Sequence, residues 1–243
     1  MKDIHYEFLY NNELDHWWYR VRRELVHSLI NRYTLGSRKI KVLDIGCGTG
    51  ALIGELGQYG DVHGVDSSSL AVDFCHKRGL NSVVLGKIEH IPFPDNTFDL
   101  VIALDVIEHT KDDAVAILEI KRVLKESGQL IIFVPTFMFL WGVTDISSNH
   151  YRRYRLPQLK KLLSDAGFTL EQTSYFNTLL FCPIALVRLF SRIFPFFKKT
   201  ESGGGGGLIN RLLYYVFRTE IILLGYINFP FGVSCLVVGR KSQ

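Results

Sequence analysis

Short apolar runs alternate with longer amphipathic segments along most of the chain. Near its start, apolar residues recur at helical spacing at Val21, Leu25, Leu29 and Ile30. This spacing predicts a helix over roughly residues 14–33. Two short apolar runs follow it, each with an aspartate at or near its end, and both read as buried strands. Strands that alternate with helices predict an α/β fold with a mostly parallel sheet.

Two further strands are predicted near the end of the chain, over Phe168–Thr173 and Val233–Gly239. A helix over Gln158–Ala166, ended by Gly167, precedes the first of them. We number these strands six and seven, and we expect them to form an antiparallel pair.

The link between the last two strands is about sixty residues long and contains two apolar, aromatic runs, Phe176–Phe197 and Leu208–Phe231. Five consecutive glycines, 203–207, lie between the runs and predict a flexible linker. A membrane-spanning helix needs about twenty uninterrupted apolar residues, and Asn228–Gly232 and several arginines interrupt these runs. We therefore predict helices that lie in a membrane interface or cover an apolar substrate. A small helical subdomain packed on the sheet is the alternative.

The most informative motif follows the first predicted strand, where Asp44 precedes three glycines at alternate positions, Gly46, Gly48 and Gly50. Glycine accepts positive φ and lets a ligand lie against bare backbone. Dinucleotide-binding turns instead read G-x-G-x-x-G and place a helix N-terminus at a pyrophosphate. An aspartate before the loop would repel a pyrophosphate and attract an ammonium. The motif therefore favours a nucleoside ligand that carries positive charge.

A second acidic residue, Asp66, ends the short strand predicted over Asp61–Asp66, twenty positions after Gly46. A carboxylate at about this distance commonly accepts hydrogen bonds from ribose hydroxyls. The alternative is a turn or a helix cap, which the three serines at 67–69 would favour. Because Asp66 follows the glycine loop, we expect the ribose role.

Several segments occur in a fixed order after the loop: Gly86–Val101, an apolar run that ends at Asp105, and Glu119–Gly128, which precedes a strand predicted over Gln129–Val134. Together with the loop they resemble the class I S-adenosylmethionine (SAM) methyltransferases, in particular the large family called type 11. The resemblance covers roughly residues 40–135. It implies a doubly wound, seven-stranded, mostly parallel sheet of the Rossmann-like methyltransferase type. It also implies SAM as the cofactor and S-adenosylhomocysteine as a product.

The resemblance further implies a set of cofactor-binding residues. These are Asp44, Gly46, Cys47, Gly48 and Gly50 at the methionine end, Asp66 and Ser67 at the ribose, Lys87, Ile88 and Glu89 at the adenine, and Leu104 and Asp105 at the end of the fourth strand. Lys87 departs from the family pattern, which usually has an acid there. Lysine has only donors, so either the backbone reads the adenine at this position or Lys87 points away.

The N-terminal helix carries the aromatic and basic candidates Trp17, Trp18, Tyr19 and Arg20. Type 11 enzymes place such a helix over the cofactor cleft, so the resemblance implies a lid over SAM or substrate. Aromatic faces attract a sulfonium as they attract other cations. The alternative is that the two tryptophans pack the helix onto the sheet.

Substrate is expected at the carboxyl edge of the sheet, where α/β sheets bind ligands. An aromatic segment, 137–142, and a basic segment, 149–155, follow the fifth strand there. The candidate substrate-binding residues in them are Trp141, Arg152, Arg153 and Tyr154. Arginine forks suit a carboxylate or phosphate, and the alternative is a solvated loop with one buried salt bridge. His150 is a candidate general base, as is His109, which could instead cap the helix that follows.

The amino-acid composition limits the binding partners that we expect. A net charge of +4 and a pI near 8.8 are compatible with an anionic membrane surface but too small to indicate nucleic acid. The four cysteines show no C-x-x-C spacing, so we expect no metal site and reduced thiols. No signal peptide is recognisable. We expect a cytoplasmic protein, either free or peripheral at the inner face of the membrane.

The sequence thus divides into four parts: an N-terminal helical lid (1–36), a SAM-binding α/β core (37–174), an apolar helical insertion (175–231) and the last strand (232–243). The predicted function is transfer of a methyl group from SAM to a small-molecule acceptor, lipid-linked or sugar-containing. The alternatives are a non-catalytic SAM-binding, membrane-associated partner protein and, less favoured, a nicotinamide-dependent oxidoreductase.

Overall fold

The computed structural model describes residues 3–34, 39–193 and 207–242. The predicted glycine linker lies outside these residues except for Gly207. The strands are β1 Ile40–Ile45, β2 Gly60–Asp66, β3 Val83–Leu85, β4 Phe98–Leu104, β5 Leu124–Pro135, β6 Phe168–Phe176 and β7 Ser234–Lys241. The helices are α1 Asp3–Asn12, α2 Trp17–Tyr33, α3 Ala51–Leu56, α4 Ser69–Lys77, α5 Asp113–Val123, α6 Val143–Ser147, α7 Leu156–Asp165, α8 Phe181–Ile193 and α9 Gly207–Leu223. Short 3₁₀ turns cover Ile107–His109 and Met138–Leu140.

The seven strands form one sheet in the order β3-β2-β1-β4-β5-β7-β6. All neighbouring strands are parallel except β7, which runs antiparallel to both β5 and β6. Strand order reverses between β1 and β4, and ligands of doubly wound sheets bind outside the carboxyl ends of the strands at this point. The predicted fold class is confirmed.

Alternate residues of the central strands supply two separate hydrophobic layers. Val42, Leu100 and Ile102 face the layer that α2, α3 and α9 cover. Leu43 and Val101 face the layer beneath α5 and α7. Because both faces are covered, the strands read as almost continuous apolar runs.

The apolar insertion leaves the sheet at the edge where the strands end. Phe176, the last residue of β6, pairs with Ser234 of β7, and Ser234 pairs with Pro135 at the end of β5. The chain between Phe176 and Ser234 therefore begins and ends beside the carboxyl ends of the parallel strands. Helix α9 then packs along α2, and the Tyr214 hydroxyl donates to Glu24 at 2.7 Å.

The N-terminal part contains two helices rather than one. Helix α2 begins at Trp17, because His16 is extended and its ring accepts from the backbone N–H of Trp18. The preceding helix, α1, was not predicted. Its apolar contacts with α4 include Tyr10 stacked on Phe74 at 4.6 Å between ring centroids.

In the described part of the chain, no helix is both long enough and apolar enough to cross a membrane. All four cysteines have free thiols, and Cys182 alone among them is exposed.

Candidate active site

The loop after β1 has the conformation that its glycines predict. Gly46, Gly48 and Gly50 have φ of 66°, 56° and 88°, which side chains rarely adopt. A Cβ at Gly46 would lie 2.6 Å from Val106. The loop is thus pressed against the segment that follows β4, and its exposed surface is bare backbone.

Asp66 at the end of β2 fixes the shape of this loop. Its carboxylate accepts from the backbone N–H of Gly48 and of Ser68, each at 2.9 Å. The hydroxyl of Tyr6, from α1, lies 3.4 Å from the same carboxylate. Helix α1 therefore reaches the position at which the sequence places a ribose.

Three carboxylates surround the buried start of the loop. Asp44 is 3% exposed, and burial, with Asp66 and Glu13 nearby, raises its pKa well above the ordinary value. Burial raises the pKa of Asp66 and of Glu13 as well. Glu13 accepts from the Thr49 hydroxyl and pairs with Arg78 at 2.9 Å. A cationic ligand beside Asp44 would offset the cost of burying its charge.

An ion pair at the end of β4 was not predicted. Arg22 of α2 is almost completely buried, and its guanidinium pairs with Asp105 at 2.8 Å. Asp105 has φ of 54° and donates its backbone N–H to Phe133 at 3.0 Å. The sequence carried a signal for the burial of Arg22 but not for its partner, because Arg22 is four residues after Trp18 and three before Leu25, on the apolar face of α2.

The segment from β5 to α7 is organised around a buried carboxylate that the sequence analysis did not select. Asp145 accepts from Arg153 at 2.8 and 2.9 Å, from His150 at 2.9 Å and from the backbone N–H of Gly142 at 2.8 Å. Burial alone would raise the pKa of Asp145, but the hydrogen bonds from His150 and Arg153 hold it below its ordinary value. Arg188 of α8 also reaches Asp145, at 3.2 Å.

These contacts change the interpretation of two predicted substrate-binding residues. The Arg153 guanidinium is buried against Asp145 and the Thr136 carbonyl, so its charge holds the loop and does not face a substrate. The Tyr154 side chain is buried and donates to Asp113 at 2.8 Å. We remove both residues from the substrate-binding set. The buried salt bridge that the sequence left as an alternative is present.

Arg152 pairs with Asp113 at 2.8 Å and donates to backbone carbonyls of the β4–α5 connection. Its side chain is one-third exposed. It therefore stands at the carboxyl edge of the sheet with its charge partly satisfied.

The two candidate bases lie together. The ring centroids of His109 and His150 are 4.5 Å apart, with the planes perpendicular. Burial, together with His150, lowers the pKa of His109 to about 4, so the His109 ring is neutral at physiological pH. His109 does not cap α5, because Asp112 does so by accepting from Val115.

Comparison with known proteins identifies the family. Residues 43–132 match the family model described as a methyltransferase domain, type 11. A ubiquinone/menaquinone biosynthesis C-methyltransferase of Haemophilus ducreyi is 31% identical over 194 residues, covering 63% of this chain and 74% of that protein. The chain belongs to the class I SAM-dependent methyltransferases, type 11 family.

Two further comparisons give another relative of this methyltransferase and a solved structure with a shared fold. A probable SAM-dependent methyltransferase of Mycobacterium tuberculosis is 32% identical over 162 residues, and the alignment spans 64% of this chain but only 57% of the relative. The phosphoethanolamine N-methyltransferase 2 of Haemonchus contortus, solved in complex with SAM, superposes with a TM-score of 0.56 at 21% identity. That superposition covers 90% of this chain and 52% of the other, and it shows a shared fold.

The residues present fit SAM. The side-chain-free glycine loop can lie against the cofactor, and the buried Asp44 carboxylate can take the ammonium of its methionine part. We expect Cys47, which is buried in the loop, to contribute its backbone, since its Sγ faces Gly64 and Cys75. When bound, SAM supplies a methyl group on a positively charged sulfur.

The predicted adenine side of the methyltransferase site has one buried residue, Ile88, between the exposed Lys87 and Glu89. Ile88 packs in the layer beneath α5, where it can form one wall for a flat ring. Exposure of Lys87 favours the interpretation in which its ammonium points away. Ser67 is also exposed, and Leu104 is half-buried beside Asp105.

Of the four N-terminal candidates, Tyr19 has charged groups of the site among its neighbours. Burial raises the pKa of Tyr19 to about 12, and its charged neighbours are Arg22, Glu13 and Asp105.

The two tryptophans of α2 pack against the insertion. Trp17 and Trp18 contact Phe217 of α9, with ring centroids 5.9 and 5.7 Å apart. They therefore pack the lid onto the insertion. Arg20 contacts the ring of Tyr214 and pairs weakly with Glu24.

Proposed function

We propose that this methyltransferase acts on a lipid-like acceptor that it meets at a membrane surface. The observation that carries the proposal is the number of exposed aromatic and apolar side chains at the mouth of the site and on α8 and α9. The apolar tail of an acceptor could lie against these side chains while its polar end reaches the site.

The mouth of the site carries an aromatic cluster, which consists of Phe137, Phe139, Phe181 and Phe231. Phe139 stacks on Phe137 with centroids 5.4 Å apart, and Phe181 lies 5.3 Å from Phe231. Phe139 and Phe231 expose 56% and 42% of their surface. Trp141, beside this cluster, has its ring centroid 6.5 Å from that of His150. An apolar acceptor thus has aromatic surface next to the two histidines.

Helix α9 also exposes an apolar face. Its exposed side chains at Leu208, Leu212, Tyr215 and Ile222 recur at helical spacing on one face. Arg211 lies beside Tyr215, with its guanidinium 5.8 Å from the ring centroid. An apolar helix face next to basic side chains is typical of helices that lie in the surface of an anionic bilayer.

We assign acceptor activation to His150 or His109. The acceptor oxygen or nitrogen must lose a proton at some point, and these two rings stand where the segments after β4 and β5 meet. His150 is oriented by Asp145, which accepts from its Nδ1 and leaves its Nε2 available. A neutral imidazole held in this way can accept a proton.

Incubation of the full chain with methyl-tritiated SAM and a cell extract tests the proposed acceptor class. We expect label in the organic phase after solvent partition, and we expect His150→Ala to reduce the rate of labelling more than it weakens SAM binding. Label that enters only water-soluble products would contradict a lipid-like acceptor. SAM binding with no labelled product would favour the non-catalytic alternative.

Vesicle flotation tests whether the protein binds a membrane surface. We expect the full chain to float with anionic vesicles, and the double variant Leu212→Glu/Ile222→Glu to remain below them, because two charges on the apolar face oppose insertion. Leu118→Glu, at an exposed apolar position of α5, is the matched control and should float like the original chain. If the original chain stays at the bottom of the gradient, the proposed binding to a membrane surface is ruled out.

A further inference from the structure

A compact set of metal-ligand groups lies beside the cofactor loop. Three residues each contribute one ligand atom, and these atoms lie within 4.8 Å of one another: Glu108, His109 and His150. Glu108 and His109 belong to the 3₁₀ turn after β4, and His150 comes from the loop after α6. The backbone joins the two segments, since the N–H of Tyr151 donates to the Glu108 carbonyl at 2.8 Å.

Glu108 lacks a partner in this arrangement. Its side chain is completely buried, and neither carboxylate oxygen has a hydrogen-bond partner among residues 3–34, 39–193 and 207–242. The two nearby guanidinium groups pair with other carboxylates, Arg22 with Asp105 and Arg153 with Asp145, each at 2.8 Å, and the Nη1 of Arg22 is itself buried without a partner in the described residues. A buried, unpartnered carboxylate is costly, and a cation between it and the two histidines would remove that cost.

Both histidines are held as metal-binding histidines usually are. The His150 Nδ1 is 2.9 Å from Asp145, and the His109 ring is hydrogen-bonded to the backbone of Ser148. In each ring, one nitrogen is thus engaged and the other is left for a ligand. Histidines that bind metals almost always donate their second nitrogen to a carboxylate or a backbone carbonyl.

Asp105 lies outside this set of three ligands, but its carboxylate is a charged neighbour of both Glu108 and His109. One of its carboxylate oxygens pairs with Arg22, and the other is buried without a partner in the described structure. Asp105 lies three residues before Glu108, and Val106 between them packs against Gly46 of the cofactor loop. The group therefore borders the place where the methyl donor binds.

We propose that Glu108, His109 and His150 bind a divalent transition-metal ion, with Asp105 as an oxygen that a metal-bound water contacts. Two imidazoles with one carboxylate favour zinc, manganese, cobalt or iron over calcium and magnesium, which prefer oxygen ligands. Three protein ligands leave coordination positions open. This site replaces the sequence-based expectation of no metal, which considered only spacing along the chain.

The metal also indicates which atom of the acceptor is methylated. This step rests on the proposed function. An open coordination position would bind an acceptor oxygen and favour loss of its proton to solvent. We therefore infer that the methylated atom is a hydroxyl oxygen. In this refinement of the proposed function, His109 and His150 activate the acceptor by holding the ion, and direct proton transfer to either ring applies only to the chain without the ion.

Metal binding is measured on the full chain after dialysis against a chelator, with Mn²⁺ and then Zn²⁺ as the probes. We expect calorimetry and the electron paramagnetic resonance of Mn²⁺ to show one ion for each chain. Glu108→Gln should weaken binding by about tenfold or more, as loss of metal-site groups does. Glu126→Gln, an exposed glutamate paired with Lys241, is the matched control and should leave the affinity unchanged.

The outcomes separate the metal from the acceptor. Equal binding to the original chain and to a folded Glu108→Gln variant, or no binding to either, overturns the metal site. Circular dichroism and thermal unfolding establish that the variant is folded, and His150→Gln provides an independent loss of a ligand. If the ion binds as proposed but no hydroxyl acceptor is methylated, the metal site stands and the acceptor assignment fails.

Discussion

Replacing Asp44 with asparagine is expected to weaken SAM binding by about 2–5 kcal/mol and, at neutral pH, to stabilise the ligand-free protein. Loss of one partner from a buried charge pair costs about this much, and each 1.4 kcal/mol is about tenfold in affinity. The change should therefore reduce the affinity for SAM at least about thirtyfold. The affinity falls because the variant has no carboxylate for the ammonium of the cofactor.

The opposite effect on stability follows from the sign of the pKa shift. Burial, with Asp66 and Glu13, raises the pKa of Asp44 in the folded chain above its unfolded value. The folded state therefore holds a proton that the unfolded state has lost, and stability falls as the pH rises through this interval. Asparagine does not titrate, so the Asp44→Asn protein does not lose this stability as the pH rises. The gain should be present at neutral pH and should vanish below the ordinary aspartate pKa of about 3.9.

Calorimetric titration with SAM and thermal unfolding of the ligand-free protein measure the two effects. Asp61→Asn, at an exposed position of β2, is the control and should change neither by much. An Asp44→Asn protein that is less stable yet binds SAM normally would mean that the carboxylate serves the fold alone. Such a result would also remove the main physical reason for placing the methionine end of SAM here.

The sequence predicted those features of the backbone around the candidate site that depend on local chemistry. The glycine loop after β1 has positive φ at Gly46, Gly48 and Gly50, as alternate glycines after a buried strand require. The acid at the end of β2 lies beside this loop for the same reason, since parallel neighbouring strands end at one edge. The position of the insertion, between β6 and β7, was also readable, because the two strands are separated by a long apolar link.

Contacts between distant segments were not readable. Arg152 and Arg153 are adjacent and chemically identical, yet Arg153 is buried against Asp145 while Arg152 pairs with Asp113. A single sequence shows that a basic cluster exists but not which carboxylate each arginine meets. Arg22 and Asp105 are likewise far apart in the chain and meet only because α2 packs over the end of β4.

Asp145→Ala is expected to lower the free energy of unfolding by about 3–5 kcal/mol, which is typical when one partner of a buried ion pair is removed. The change would leave the buried Arg153 guanidinium without its bidentate partner and would release His150 and the backbone N–H of Gly142. It would also free Arg188 of α8 from one of its contacts with the core. One substitution thus loosens the segment between β5 and α7 together with its attachment to the insertion.

Urea unfolding measures the loss of stability, and two controls show where it comes from. Asp165→Ala removes an exposed carboxylate paired with Lys161 on α7, and it should cost no more than about 0.5 kcal/mol. Arg188→Ala removes one contact of Asp145 and should cost less than Asp145→Ala.

Because Asp145 does not touch the loop over residues 44–50, the folded fraction of the Asp145→Ala protein should still bind SAM while methyl transfer to the acceptor is lost. A loss of stability below about 1 kcal/mol would show that solvent or a rearranged loop compensates Arg153, and the acceptor side of the site would then not depend on this carboxylate.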